Sequence, residues 1–345
     1  MLRRTMQKVR AIVFHARGDP LSVAKVEAIE LPEPAPGEAE VRMLYAPINP
    51  ADLNVIEGKY PIRPKLPAVP GVEGVGVIEK IDGEDETLRV GTHVLLPHGI
   101  GTWRERAVVP AKQLTAVPSG LPPQLAAMLK INPATALRML RDFVALRPGD
   151  WILQNAANSA VGRAVMQIAR RLGLRTANVV RRAELVHELK DEGDVVVLDD
   201  EKMGDAIRSM TGLAEIRCAL NAVGGESALR LAKALAPGGT IVTYGAMSLQ
   251  PLRIPNSLLI FKDQRWRGFW ITQWYERASR EAAAEMFREL FAFALTGMLR
   301  LPVERTFTLD ESAHALARAQ QSGRRGKILW DLDGSNQTGE RAAGP

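Results

Sequence analysis

Trp151-Ile152-Leu153-Gln154-Asn155-Ala156-Ala157-Asn158-Ser159-Ala160-Val161-Gly162 is the stretch on which the fold turns. Its first five residues read as a strand, its middle as a tight turn of small residues, and its end opens a helix over 159–172. A helix N-terminus leaves backbone N–H groups without partners, so a strand–turn–helix of this kind can hold a pyrophosphate. The usual Gly-x-Gly-x-x-Gly pattern is degenerate. Only Gly162 is glycine, where the missing side chain lets the helix approach the sheet. Asn158 and Ser159 can cap the helix and donate to phosphate. A plain strand–cap–helix junction reads the same way, so the context decides.

Downstream, strands at 176–181, 195–199, 216–222 and 240–245 alternate with helices, for example at 183–190. Strand–helix alternation at this spacing implies an α/β fold, a doubly wound parallel sheet covered on both faces. A long helix follows at 280–295, and 302–332 reads as strand, helix, strand returning to the first part of the chain. That first part is different in texture. Short runs at 11–14, 38–44, 74–81, 93–96 and 107–110, punctuated by Pro and Gly, predict a small barrel-like β domain. An Ala/Leu/Met-rich helix is expected over 125–143. The expected boundaries are 1–130 with 297–335 for the β domain, 131–296 for the nucleotide-binding domain, and a disordered polar tail at 336–345.

Composition narrows the function. A chain of 345 residues is comfortable for two domains. Its apolar runs fall far short of the ~20 residues that cross a bilayer. Cys218 is the only cysteine, which excludes an internal disulfide and a Cys-rich structural zinc site and fits a reducing compartment. The net charge of +6 suits an anionic ligand such as a nucleotide, coenzyme A or an acidic carrier. It is too small and dispersed for nucleic acid. The opening Met1-Leu2-Arg3-Arg4 lacks the apolar segment of a secretory signal, and the strand-like run at 9–15 leaves little room for an organelle presequence.

The end of the second strand of the alternating region reads Val179-Val180-Arg181-Arg182. Folds that prefer NADH place an acid here for the ribose hydroxyls. Two guanidinium groups suit a 2′-phosphate instead, so NADPH is the expected cofactor. The alternative is a solvated Arg pair at a helix start.

Several stretches together resemble a known family. They include Pro47-Ile48-Asn49-Pro50-Ala51-Asp52-Leu53-Asn54, Ile56-Glu57-Gly58-Lys59-Tyr60 and Leu66-Pro67-Ala68-Val69-Pro70-Gly71-Val72-Glu73-Gly74. Further on come Ile131-Asn132-Pro133-Ala134-Thr135-Ala136, the 155–162 turn, Val242-Thr243-Tyr244-Gly245-Ala246-Met247 and Arg267-Gly268-Phe269-Trp270. The chain resembles the zinc-independent branch of the medium-chain dehydrogenase/reductase superfamily. It is most similar there to the 2-enoyl thioester reductases of the mitochondrial trans-2-enoyl-CoA reductase type. The Asn-Ala-Ala-Asn-Ser turn and the Gly-Phe-Trp segment belong to this branch, and Ala160 departs from its usual Gly. Zinc-dependent members carry a Cys near Asn49–Asp52 and a His where Val72 stands. Both ligands are absent, and no metal is expected.

The resemblance implies a Rossmann domain and a GroES-like β-barrel catalytic domain. It implies NADPH-dependent reduction of the 2,3 double bond of a trans-2-enoyl thioester, carried by coenzyme A or acyl carrier protein. Hydride goes to the β-carbon and a proton to the α-carbon. Tyr60 is then the acid or carbonyl donor, with Lys59 beside it favouring the phenolate, and Asn49 lies close to the reacting centre. The cofactor would be held by Asn132 on the nicotinamide side and by Asn158, Ser159, Ala160 and Val161 in the phosphate loop. Arg181, Arg182 and Tyr244 would take the adenosine phosphate side, with Gly245, Ala246 and Met247 against the cofactor. Phe269, Trp270, Ile271 and Thr272 would meet the nicotinamide carboxamide, Trp270 lining the acyl pocket, and Lys327 would contact the cofactor. Each has a plainer reading: Tyr60 as a surface-loop Tyr, Asn49 and Asn132 as braces of their own turns, Phe269 as part of an edge strand, Lys327 as one more solvated lysine. The resemblance also implies a homodimer paired through an apolar, aromatic edge strand near 265–271. Two other functions stay open, an NADPH:quinone or other activated-alkene reductase and a non-catalytic NADPH-binding protein. A bacterial source would place the protein in the cytoplasm and a eukaryotic one in the mitochondrion.

Overall fold

The strand–helix alternation folds into a six-stranded sheet in which every ladder is parallel. In the computed structural model, which describes residues 5–83 and 87–333, this sheet belongs to the unit Asn132–Arg300. Met1–Ile131 with Leu301–Pro345 forms the second unit. The expected tail at 336–345 lies outside the described residues.

The strand order in the sheet is Val195–Leu198, Arg175–Val180, Trp151–Gln154, Cys218–Asn221, Thr240–Thr243, Arg265–Gly268. The chain winds outward from Trp151–Gln154 to one edge, then restarts beside it at Cys218–Asn221 and winds to the other. Ligands of such sheets bind beyond the carboxyl ends of the strands at this point of reversal. The inner strands are continuously apolar because both faces are covered. Ile152, Leu153, Ala177, Val179, Ala219, Leu220, Ile241 and Val242 are all buried.

The edge strand corrects one expectation. Arg265–Gly268 reads Arg-Trp-Arg-Gly and is largely exposed, so it is charged rather than apolar. Charges on an edge discourage indiscriminate pairing. The strand stops at Gly268, and Ile271 begins the helix Ile271–Arg277. Exposed apolar side chains lie instead on Leu259, Ile260 and Phe261, at the end of the helix Asn256–Ile260.

In the other unit a seven-stranded sheet is organised around Glu38–Pro47. This long strand pairs antiparallel with Val75–Ile81, with Arg106–Pro110 and, at its end, with Lys327–Asp331. The C-terminal strand is thereby drawn into the N-terminal β unit. Trp103 and Trp330, both fully buried, meet edge to face at 5.5 Å in its core. A separate hairpin pairs Met6–Phe14 with Ala24–Pro32 over their full lengths. The second of these strands was not expected. Its pattern mixes Lys25, Glu27 and Glu30 with apolar residues, and the extended form is fixed by pairing with Met6–Phe14.

The single helix expected at 125–143 is two, Pro123–Ala126 and Asn132–Asp142. Pro133 brings no N–H, and the Ile131 N–H is drawn off to the Glu73 carboxylate at 2.8 Å. The intervening segment carries the buried Lys130.

Candidate active site

The phosphate turn is built as a helix cap. Ser159 caps the helix Ala160–Arg171, its Oγ accepting from the Gly162 N–H at 3.0 Å. A Cβ on Gly162 would lie 2.5 Å from the Ala157 carbonyl oxygen, so only glycine fits this approach. Asn158 lies in the turn, while Ala160 and Val161 form the first helical turn.

Below the turn a set of buried amides joins the two strands at the point of reversal. Asn155 Nδ2 donates to Asn221 Oδ1 and to Ser227 Oγ, both at 2.9 Å, and Asn155 Oδ1 accepts from Ala222 N at 2.7 Å. Asn221 Oδ1 also accepts from the Val223 and Gly224 N–H groups. Only a side chain that both donates and accepts can serve such a junction.

Tyr244 directly follows the strand Thr240–Thr243. Its hydroxyl is buried facing Ser159 and has no partner in hydrogen-bonding geometry among the described residues. Burial raises its pKa further, which keeps the phenol neutral and able to donate. An orphaned donor beside a phosphate-binding turn fits an anionic group, so the residues present suit a dinucleotide phosphate. Gly245 follows, and Ala246 and Met247 are exposed, with Met247 N bonded to the Ala222 carbonyl at 3.0 Å. Arg181 and Arg182 stand directly after Arg175–Val180. Arg181 is exposed, and Arg182 caps the helix Ala183–Leu189 and meets Glu184 at 3.4 Å.

Phe269 extends the edge ladder by one bond, N–H to Thr243 O at 2.9 Å, and packs edge to face on Phe143 at 5.6 Å. Trp270 caps the helix Ile271–Arg277, whose first residues Ile271 and Thr272 are buried. Asn132 is the buried first residue of Asn132–Asp142.

The β unit holds a second polar centre. Asn49 caps the helix Pro50–Glu57, its N–H donating to Asp52 Oδ2 at 2.8 Å in a capping box. Asp52 Oδ1 accepts from the Val72 N–H at 3.0 Å. Asn49 Nδ2 donates to Glu73 Oε1 at 2.9 Å, and the Lys327 ammonium donates to Asn49 Oδ1. Lys327, expected as a solvated or cofactor-contacting lysine, is buried here as the first residue of Lys327–Asp331. Lys130 is buried nearby and donates to the Leu96 carbonyl at 2.6 Å.

All four charged groups are displaced toward neutrality because the interior cannot solvate them. Burial pushes the Asp52 carboxyl up to about 7, against the pull of the Asn49 N–H. It raises Glu73 as well, with Lys327 opposing. It lowers Lys327 to about 8 and Lys130 to about 7, the Glu73 charge opposing in each case. Burial, with Lys130 close by, takes His98 down to about 4. Among the described residues no three His, Cys, Asp or Glu gather as a metal site.

Tyr60 lies just past Gly58, which closes Pro50–Glu57 in the left-handed conformation at φ 76°. That conformation turns the chain sharply, and the Tyr60 ring comes to rest half-buried against the core of the β unit. Lys59, beside it, meets Glu57 at 3.0 Å.

Glu73, Asp52 and Lys130 were not singled out from the sequence. The available signal was an acid inside the run Gly71-Val72-Glu73-Gly74-Val75, where an unpaired carboxylate has no solvent to face.

Two family profiles match the chain. The alcohol dehydrogenase GroES-like domain covers residues 35–119 and the zinc-binding dehydrogenase domain covers 160–290. The rat mitochondrial enoyl-[acyl-carrier-protein] reductase is 44% identical over 315 residues, spanning 89% of this chain and 84% of its own. A mitochondrial 2-enoyl thioester reductase heterodimer, Etr1p/Etr2p, from Candida tropicalis superposes with a TM-score of 0.86 at 28% identity, covering 94% of this chain and all of that one. Etr1p also superposes, with a TM-score of 0.85 and the same identity and coverage, in a complex with NADP and crotonyl-CoA. A proposed NADPH:quinone reductase from Bacillus thuringiensis gives 0.87 at 29% identity, covering 94% of this chain and 99% of that one. This chain therefore belongs to the medium-chain dehydrogenase/reductase superfamily and, within it, to the mitochondrial-type enoyl-[acyl-carrier-protein] reductases.

Proposed function

We infer that the chain is an NADPH-dependent 2-enoyl thioester reductase, saturating the 2,3 double bond of an enoyl group carried by coenzyme A or acyl carrier protein. The observation that carries this is the 44% identity to the rat enoyl-[acyl-carrier-protein] reductase over most of both chains. It is supported by a phosphate turn with an orphaned phenol beside it and an Arg pair at the end of the second strand. When bound, NADPH supplies the hydride that reaches the β-carbon.

The chain's own residues hold, orient and protonate. Asn158 and the first turn Ala160–Val161 present N–H groups to the pyrophosphate, with the Ser159 cap beside them. Tyr244 donates on the same side, and Arg181 and Arg182 take the 2′-phosphate. Gly245, Ala246, Met247, Asn132, Phe269, Trp270, Ile271, Thr272 and Lys327 complete the proposed cofactor set. Tyr60 delivers the proton to the α-carbon or donates to the thioester oxygen, and Asn49 acts beside it. The chemistry needs no metal. A homodimer is the proposed assembly, although the Candida relative is named as a heterodimer. The relatives' mitochondrial names support a mitochondrial location if the source is eukaryotic.

The quinone reductase reading is kept alive by the Bacillus fold match. Steady-state NADPH oxidation with crotonyl-CoA, set against a small quinone, separates the two. Faster turnover of crotonyl-CoA, undiminished after dialysis against a strong chelator, is the expected result. Turnover of the quinone alone would reverse the assignment.

A further inference from the structure

We propose that Glu73 is a positioning residue that holds the Asn49 carboxamide in a single orientation, with Lys327 fixing its opposite end. The proposal rests on the reading that Asn49 acts at the reacting centre. A carboxamide has two ends of nearly the same shape, one a donor and the other an acceptor, and a half-turn exchanges them. Here Asn49 Nδ2 meets Glu73 Oε1 at 2.9 Å, while Oδ1 receives the Lys327 ammonium. A carboxylate can only accept and an ammonium can only donate. The reversed amide would set acceptor against acceptor and donor against donor in a site where Asn49, Glu73 and Lys327 are all buried. One orientation survives.

Glu73 is itself held rigidly. Its Oε2 accepts from the Ile131 N–H at 2.8 Å, and its backbone carbonyl accepts from Thr102 Oγ1 at 2.7 Å. Asn49 is anchored at its own N–H by Asp52. A fully buried carboxylate contributes little to stability compared with an apolar side chain of the same volume, even where cations lie near it. What the arrangement supplies is direction. The same carboxylate ties the Asn49 segment to the backbone at Ile131.

The test is a double-substitution cycle with Asn49→Ala, Glu73→Gln and both together, assayed with crotonyl-CoA and NADPH. A Gln at 73 keeps the shape but has one acceptor oxygen for two donors, Asn49 Nδ2 and the Ile131 N–H, so it cannot hold both. Glu73→Gln should lower kcat at least about tenfold, with the NADPH Kd within about threefold of wild type. The double variant should be no slower than Asn49→Ala alone. Additive losses, or wild-type kcat in Glu73→Gln while Asn49→Ala is slow, would overturn the positioning role and leave the reading of Asn49 standing. Wild-type kcat in Asn49→Ala would overturn that reading and the proposal with it. Should Glu73→Gln fail to fold, Glu73→Asp carries the same cycle, because it retains the charge but is too short to reach both Asn49 and Ile131.

Discussion

Lys130 donates to the Leu96 carbonyl at 2.6 Å from a position that is 6% exposed, a cation held on a neutral acceptor inside the β unit. Burial lowers its pKa from 10.5 to about 7, the Glu73 charge pulling the other way. Between those values the unfolded chain binds more protons than the folded one, so this lysine makes stability rise with pH from about 7 to 10.5. Lys327, lowered to about 8, acts in the same sense above that pH. Asp52 acts oppositely. Raised from 3.8 to about 7, it contributes stability that is full below 3.8 and lost as pH rises through 7. The buried cluster is therefore weakest near neutrality. In urea unfolding, the stability of wild type relative to Lys130→Met should climb by on the order of a few kcal/mol between about pH 7 and 10. A flat difference across that range would show that Lys130 titrates normally.

Replacing Arg181 and Arg182 by Ala should weaken NADPH binding about tenfold or more and leave NADH nearly unaffected. Each charge-assisted contact to a 2′-phosphate is worth about 1.5–3 kcal/mol. Dissociation constants for both cofactors, from fluorescence titration, check this. Unchanged discrimination would place the 2′-phosphate elsewhere.

Tyr60→Phe deletes one hydroxyl and keeps the ring that packs on the core. Its kcat with enoyl-CoA should fall by about 10²–10³, with the NADPH Kd nearly unchanged. Any quinone reduction should suffer far less, because no carbon is protonated. Wild-type turnover with chemistry rate-limiting would make Tyr60 a structural loop residue.

Ile260 and Phe261 are 69% and 81% exposed, at the end of a helix leading to the edge strand. If the proposed homodimer forms, these exposed apolar side chains are the expected place of contact. Light scattering should give about twice the chain mass for wild type at micromolar concentration, and the single-chain mass for Phe261→Glu. A wild-type monomer would refute the homodimer.

The architecture of the nucleotide-binding unit is legible in the chain's local patterns. Its buried strands and amphipathic helices carry local periods that differ, and the turn at 155–162 is encoded by neighbours in the chain. Ser159 as the cap and Gly162 as the close approach needed nothing distant. The break before Asn132 is not of this kind, since it draws on the Glu73 carboxylate that takes the Ile131 N–H from 58 residues away. Other features rest on residues far apart in sequence. The strand Ala24–Pro32 is set by pairing with Met6–Phe14, and its own charged pattern does not announce it. Lys327 reads as one of several basic residues near the C-terminus until strand pairing carries it to Asn49, 278 residues earlier. Glu73 looks like part of a motif until its two oxygens are seen to hold Asn49 and Ile131. Local pattern encodes backbone conformation and which face is buried. The partners of a buried charge, and hence its protonation and its work, follow from where the tertiary structure brings the chain together.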